Sequence, residues 1–221
     1  MKPLYDFIPY HREIFSETEM LKRSAEFYQW ANKRRSVREF SSKEIPDEVI
    51  DNILLAANTA PSGANKQPWT FCVVKNSEIK KQIRIEAERE EKISYESRMS
   101  DEWLEDLEPL GTDWHKPFLE TAPVLIVVFK RSFETIDGNK RQNYYVAESV
   151  GLACGFLLAA IHHAGLVALT HTPSPMNFLA KVLNRPENEK PFLLIPVGYP
   201  TENVKVPDIK RKSLGQIKVL Y

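Results

Sequence analysis

The chain has 221 residues, 43% of them hydrophobic and 27% charged, the profile of one soluble globular domain that can bury a core. Thirty basic residues balance thirty acidic ones, which removes the electrostatic argument for a nucleic-acid or membrane-surface partner. Two cysteines, Cys72 and Cys154, lie in apolar stretches without metal-ligand spacing and read as buried, reduced thiols.

The opening MKPLYDFIPYHREIF lacks the apolar core of a signal peptide, and no run approaches the ~18 apolar residues of a membrane span. The chain is therefore expected in the cytoplasm. Ser16 and Glu19, three apart, form a capping box ahead of Leu21, Ala25 and Tyr28; this spacing predicts a helix that buries one face. The basic turn KRRSVREF (33–40) follows. Pro46 and Asp47 open a second helix whose buried stripe is Val49, Ile50, Ile53, Leu54 and Ala57. TAPSGANKQPW (59–69) is an ordered loop punctuated by Pro61, Gly63 and Pro68, and WTFCVVK (69–75) is a strand. Residues 77–98 read as a helix charged nearly all round, with little core of its own. The segment 99–121 has no clear pattern.

PVLIVVFK (123–130) is a continuous apolar run, as expected of a central strand buried on both faces. A polar loop at Asp137-Gly138-Asn139 leads to an apolar helix at about 143–164. GLVALTHT (165–172) reads as a strand, Pro175 as the start of a short helix, and FLLIPVGYP (192–200) as another strand. The last twenty residues are basic and extended, an arm rather than a core element.

The alternation of helices and strands contains no G-x-G-x-x-G or Walker loop, so a Rossmann or P-loop reading is poor. There is no H-E-x-x-H, no Cys/His cluster and no G-x-S-x-G elbow. His162 and His163 are adjacent on a helix and diverge by about 100°, so they cannot share a metal. No metal is expected, and a bound organic cofactor is the natural source of difficult chemistry. The basic turn is the first positive signal: Arg34, Arg35, Ser36 and Arg38 place three guanidinium groups and a hydroxyl within five residues. Guanidinium forks match phosphate oxygens. A solvated basic patch is the alternative, but Val37 and Phe40 interleave the charges and point to partial burial.

RRSVREF, then TAPSGANKQPWTFCVV, then PVGYP is a pattern that resembles the FMN-dependent nitroreductase superfamily. EEKISYESRM, TDWHKPFLETAPVLIVVFK, YYVAESVGLACGFLLAA, GLVALTHTP and VPDIKRKSL resemble its iodotyrosine deiodinase branch. The likeness runs from about residue 33 to residue 218. It implies an α+β fold, nitroreductase-like, with a central, mostly antiparallel sheet flanked by helices. It also implies a single domain over 1–221, a lid at approximately 88–118, a C-terminal arm at approximately 203–221 and an interwoven homodimer.

The resemblance further implies non-covalent FMN and reductive dehalogenation of halogenated tyrosines to tyrosine and halide. NAD(P)H is the implied ultimate electron donor, through a separate flavin reductase if not directly. Arg34, Arg35, Ser36 and Arg38 would hold the FMN phosphate and ribityl chain, joined by Arg211 from the other subunit; simple surface charge is the alternative for Arg211. Pro61, Ser62 and Gly63 would form the flavin loop, and the backbone at Ala64 would contact the substrate's phenolic oxygen. Thr172 would hydrogen-bond flavin N5, a neutral contact that favours one-electron over hydride transfer; Thr170, on the same side of a strand, is the alternative.

Glu91, Tyr95 and Lys116 would bind the amino-acid zwitterion. Glu91 and Tyr95 are four apart and share a helix face, and Lys116, from another segment, could close over them. Taken from composition alone, Glu91 is one acid in a crowded helix. Two other readings remain open: a general nitroreductase or quinone reductase, which needs no such trio, and a flavoprotein that binds halotyrosine without turnover.

Overall fold

The run of eight residues Val124–Arg131, strand β2, is the axis of the structure, and its side chains divide alternately between two cores. Val124, Ile126 and Val128 enter one cluster, while Leu125, Val127 and Phe129 enter the other. That is why the run lacks the polar alternation of a half-exposed strand. The computed structural model describes residues 5–221, so the first four residues of the opening stretch lie outside the described residues.

β2 pairs antiparallel with β1 (Trp69–Val74) on one side and with β6 (Glu189–Gly198) on the other. β5 (Val167–Ala168) pairs antiparallel with β6 and completes a four-stranded sheet in the order β1-β2-β6-β5. The first core lies between the sheet, α2 (Asp47–Asn58) and α6 (Val146–His163). The second lies under α3 (Ser77–Ile93), α5 (Phe118–Thr121) and α7 (Asn177–Val182).

β5 is shorter than the strand expected over 165–172, and the reason is Pro196. Register continues beyond Ala168: Leu169 N–H donates to the Pro196 carbonyl at 3.4 Å, and His171 and Leu194 exchange both backbone bonds at 2.9 and 3.0 Å. Pro196 has no N–H to return to Leu169, so one rung is missing from an otherwise regular ladder. The other edge of β5 carries the basic segment: Ser36 pairs in parallel with Ala168, and Val37 N–H donates to Ala168 O at 3.2 Å. The segment expected as a turn is therefore an extended strand-like piece, with Val37 and Phe40 buried as its interleaving implied.

Four other expectations are corrected. Asp137-Gly138 forms a tight hairpin turn joining β3 (Phe133–Ile136) to β4 (Asn139–Gln142); both turn residues have positive φ, the conformation that Asp-Gly favours. α3 is not without a core, because Ile83 and Ala87 are fully buried. α6 is long and apolar enough, by length and composition, to cross a membrane; one side of it nevertheless packs into the first core through Val150, Ala153, Cys154, Leu157 and Ile161. Finally, the short helix after Pro175 starts at Asn177.

The chain divides into two compact units, Met1–Arg34 and Arg35–Tyr221. In the first, α1 (Glu17–Asn32) starts where Ser16 accepts from Glu19 N–H. The reciprocal half of the expected capping box is replaced by a Glu19–Arg23 ion pair at 2.7 Å. The expected buried face is also absent: α1 buries no residue, and Leu21 and Tyr28 are 72% and 66% exposed. An apolar stripe needs a partner surface, which this unit alone does not provide. The C-terminal segment is largely exposed and carries one short helix, α8 (Leu214–Ile217), with a Ser213–Gln216 capping box.

Candidate active site

The site forms where the end of α3 meets the continuation of β5. Glu91 lies in the last turn of α3, anchored by Ile83 and Ala87 below it. A π-helical turn, Ser94–Arg98, follows and carries Tyr95. The chain then runs through α4 (Asp101–Leu107) and returns along α3 to Lys116. Lys116 N–H donates to Glu88 Oε1 at 2.7 Å, and Tyr95 O–H donates to Thr112 O at 3.3 Å. These bonds bring Arg38, Glu91, Tyr95, Lys116, Thr170, His171 and Thr172 to the wall of one cavity of about 190 Å³.

Two of these charges are paired with each other. Lys116 Nζ lies 3.5 Å from Glu91 Oε2, with both side chains buried, and also donates to Thr112 Oγ1 at 3.2 Å and to the Asp113 carbonyl. Burial raises the Glu91 carboxyl above its ordinary range, and the nearby Lys116 charge opposes that shift. Burial lowers the Lys116 ammonium, and Glu91 opposes this in turn. Lys116 Nζ also sits 5.6 Å over the Tyr95 ring, and burial raises the Tyr95 phenol.

Arg38 is half-buried on the cavity wall. Burial lowers its guanidinium pKa, and among the described residues no carboxylate forms an ion pair with it. Thr170 and Thr172 are exposed while His171 between them is buried, the alternation of extended backbone, so both hydroxyls lie on one side. A half-buried, unpaired cation beside free hydroxyls calls for an electron-rich, carbonyl- or phosphate-bearing ligand. Among the described residues no His, Cys, Asp or Glu cluster could hold a metal. The donors present fit FMN.

The remaining expected residues do not line this cavity. Arg34 ends the first unit and Arg35 begins the second; Arg35 donates to the Pro207 carbonyl and so holds the start of the C-terminal arm. Ser36 is on the β5 edge, and Arg211 is on the exposed arm. Of Pro61, Ser62, Gly63 and Ala64, Gly63 is the one pressed against the start of α6, while Pro61 and Ala64 are exposed. Gly63 N–H donates to Ser149 Oγ at 3.3 Å, and a β-carbon at Gly63 would come within 2.9 Å of the Tyr144 carbonyl oxygen. Gln67 N–H closes the loop on Ser62 Oγ at 2.9 Å. Ala64, Asn65 and Gln67 all have positive φ, at roughly 1–2 kcal/mol each for residues with a β-carbon. Strain of this kind collects where a loop is held for a ligand.

Sequence reasoning overlooked His171. Its Nε2 has no hydrogen-bond partner and lies 4.0 Å from Glu91 Oε1, and its ring meets Phe118 edge-on at 5.7 Å. The usable signal was its place between two threonines of one strand, which turns it inward when they turn outward.

Comparison with known proteins gives a consistent answer. A family model described as the nitroreductase family matches residues 31–199. The chain is 64% identical to an iodotyrosine deiodinase of Haliscomenobacter hydrossis, covering all of both chains. It is 49% identical to human iodotyrosine deiodinase 1, over 97% of this chain and 75% of that one. Among solved structures it resembles oxidized iodotyrosine deiodinase bound to FMN and 3-iodo-L-tyrosine. That match has a TM-score of 0.75 and 35% identity, over 87% of this chain and 99% of that one.

Proposed function

From the premise that this chain belongs to the nitroreductase family, in its iodotyrosine deiodinase branch, we propose that it removes halide reductively from halogenated tyrosines with FMN as cofactor. The observation that carries the reading is the buried Glu91–Lys116 pair beside Tyr95 in one cavity. A zwitterion inserted between the two ions gives Glu91 an ammonium and Lys116 a carboxylate. Each buried charge exchanges one partner for another, so the opening costs little. A neutral phenol offers neither charge and leaves the pair closed. The clamp thus selects free amino acids.

FMN would supply the two electrons that break the carbon–halogen bond, a proton taking the place of the leaving halide on the ring, and would receive them in turn from reduced nicotinamide, directly or through a separate reductase. Arg34, Arg35, Ser36 and Arg38 would hold its phosphate and ribityl chain, with Arg211 contributed from the arm of a second copy. Thr172 would donate to flavin N5, with Thr170 beside it, and Pro61, Ser62 and Gly63 would line the flavin. Tyr95 turns its hydroxyl from Thr112 to the substrate. The backbone at Ala64 contacts the phenolic oxygen. The outer turn 99–115 closes over the bound amino acid and excludes water from the reacting face; α3 itself, anchored by Ile83 and Ala87, stays in place.

The placement of residues 61–64 away from the Glu91 cavity supports a homodimer in which one copy's loop completes the other's site. α6 has the surface for it: Gly151, Leu152, Gly155 and Phe156 form an exposed stripe on a helix otherwise built for burial. Added β-carbons at the two glycines would meet nothing within 4 Å, so a second helix can approach closely. Wild-type protein should elute at twice the chain mass in size-exclusion chromatography with light scattering. Phe156→Arg should elute as a single chain and bind FMN at least tenfold more weakly. A wild-type monomer that holds FMN tightly would overturn this assembly.

The activity is tested anaerobically. Protein reduced with dithionite and given 3-iodotyrosine should return to the oxidised flavin spectrum with one iodide and one tyrosine released per flavin. Flavin that stays reduced with iodotyrosine, yet reoxidises with a nitroaromatic, would establish a general nitroreductase instead.

A further inference from the structure

Glu91 has two buried neighbours, and only one of them is paired with it. Lys116 Nζ is 3.5 Å from Oε2, whereas His171 Nε2 is 4.0 Å from Oε1 and has no hydrogen-bond partner. His171 is 7% exposed, lines the same cavity and is fixed at its backbone by the two-bond pairing with Leu194. An orphaned imidazole nitrogen at such depth is rare, because leaving it unpaired forfeits the hydrogen bond it had in water. Facing it is a carboxylate oxygen with unused acceptor capacity. The separation exceeds a hydrogen bond by about 1 Å, which one small rotation of the Glu91 side chain can close. In the structure, Glu91 is turned toward Lys116 through Oε2.

We propose that His171 is a positioning residue for Glu91: when the substrate carboxylate draws Lys116 away, neutral His171 donates Nε2–H to Glu91 Oε1 and leaves Oε2 facing the substrate ammonium. This rests on reading the cavity as an amino-acid clamp. The imidazole is suited to the task because burial, with the Lys116 and Arg38 charges nearby, keeps it uncharged, its pKa lowered to about 3. It can steer the carboxylate without competing for its charge. The orphaned nitrogen is then a donor held in reserve for the bound state.

The test is a binding cycle on oxidised, FMN-loaded protein, titrated calorimetrically with 3-iodotyrosine so that no turnover intervenes. His171→Leu should weaken binding about tenfold, the scale of one hydrogen bond to a charged group. His171→Gln, whose amide nitrogen stands where Nε2 does, should recover most of that loss and guards against a folding defect in the leucine variant. In a Glu91→Gln background, His171→Leu should change affinity by less than about twofold. Equal losses in both backgrounds would make His171 merely structural and overturn the proposal. An unchanged affinity for His171→Leu, with a large loss for Glu91→Gln, would overturn it and leave the clamp standing. If neither change matters, the clamp reading itself fails, and this proposal with it.

Discussion

Glu91→Gln is expected to weaken binding of 3-iodotyrosine to the oxidised flavoprotein by about 100-fold, while turnover of a nitroaromatic changes by less than twofold. The variant keeps the side chain's volume and one acceptor oxygen, so Lys116 retains a neutral partner besides Thr112 and the Asp113 carbonyl. What it removes is the buried negative charge that would face the substrate ammonium. Truncating one member of a buried charged pair costs about 2–5 kcal/mol, and about 1.4 kcal/mol is a factor of ten in affinity. The nitroaromatic has no ammonium, so it is indifferent to the change. Titration of flavin fluorescence with 3-iodotyrosine, beside the rate of nitroaromatic reduction by the same proteins, separates the two. Equal sensitivity of both, or of neither, would mean that the Glu91–Lys116 pair holds the segment together and recognises nothing.

The parts of this molecule legible in the sequence are those where one local pattern has one physical cause. The run of Val124–Phe129 could only be a strand buried on both faces, and its alternate side chains do enter two cores. The Pro46 start of α2 and its stripe followed the same logic. α3 was misjudged because its charges hide Ile83 and Ala87, two small anchors that suffice when α5 and α7 lie over them. The exposed stripe of α1 shows the opposite error: periodicity reports that a helix face needs cover, not which chain provides it. β5 was overextended because the missing rung is caused by Pro196, on the neighbouring strand and nearly thirty residues away.

The candidate site divides in the same way. The four-residue spacing of Glu91 and Tyr95 puts them on one helix face, but nothing in the sequence requires Lys116, beyond α4, to meet them; only family resemblance named the three together. The structure supplies the reason, since the π-helical turn and the backbone bond from Lys116 to Glu88 fold the segment back on α3. His171 had no motif to announce it. Its place between two threonines sets it on the face opposite theirs, but that this face is the buried one follows from the pairing of His171 with Leu194 of β6.

The second large effect concerns acid stability. As pH falls from 7 to 5, wild-type protein saturated with FMN should lose about 2 kcal/mol through His171 alone, and His171→Gln should be spared that loss. The imidazole's pKa is lowered in the folded state to about 3, chiefly by burial and secondarily by Lys116 and Arg38. A depressed basic group contributes stability that is fully present above its unfolded value, about 6.5. That contribution is lost progressively as pH falls toward 3, because the unfolded chain takes up the proton first. Glu91, 4.0 Å away, would favour the imidazolium if it were free, but its charge is engaged by Lys116 and opposed by burial. Its own raised pKa acts in the other direction, making the folded state slightly less stable as pH rises and Glu91 ionises. The difference between wild type and His171→Gln cancels that term. At about 2–4 °C per kcal/mol for a chain of this size, melting temperatures of the two proteins should diverge by about 4–8 °C between pH 7 and pH 5. Parallel curves would show that the site admits the imidazolium, and that His171 is not the buried neutral donor its surroundings require.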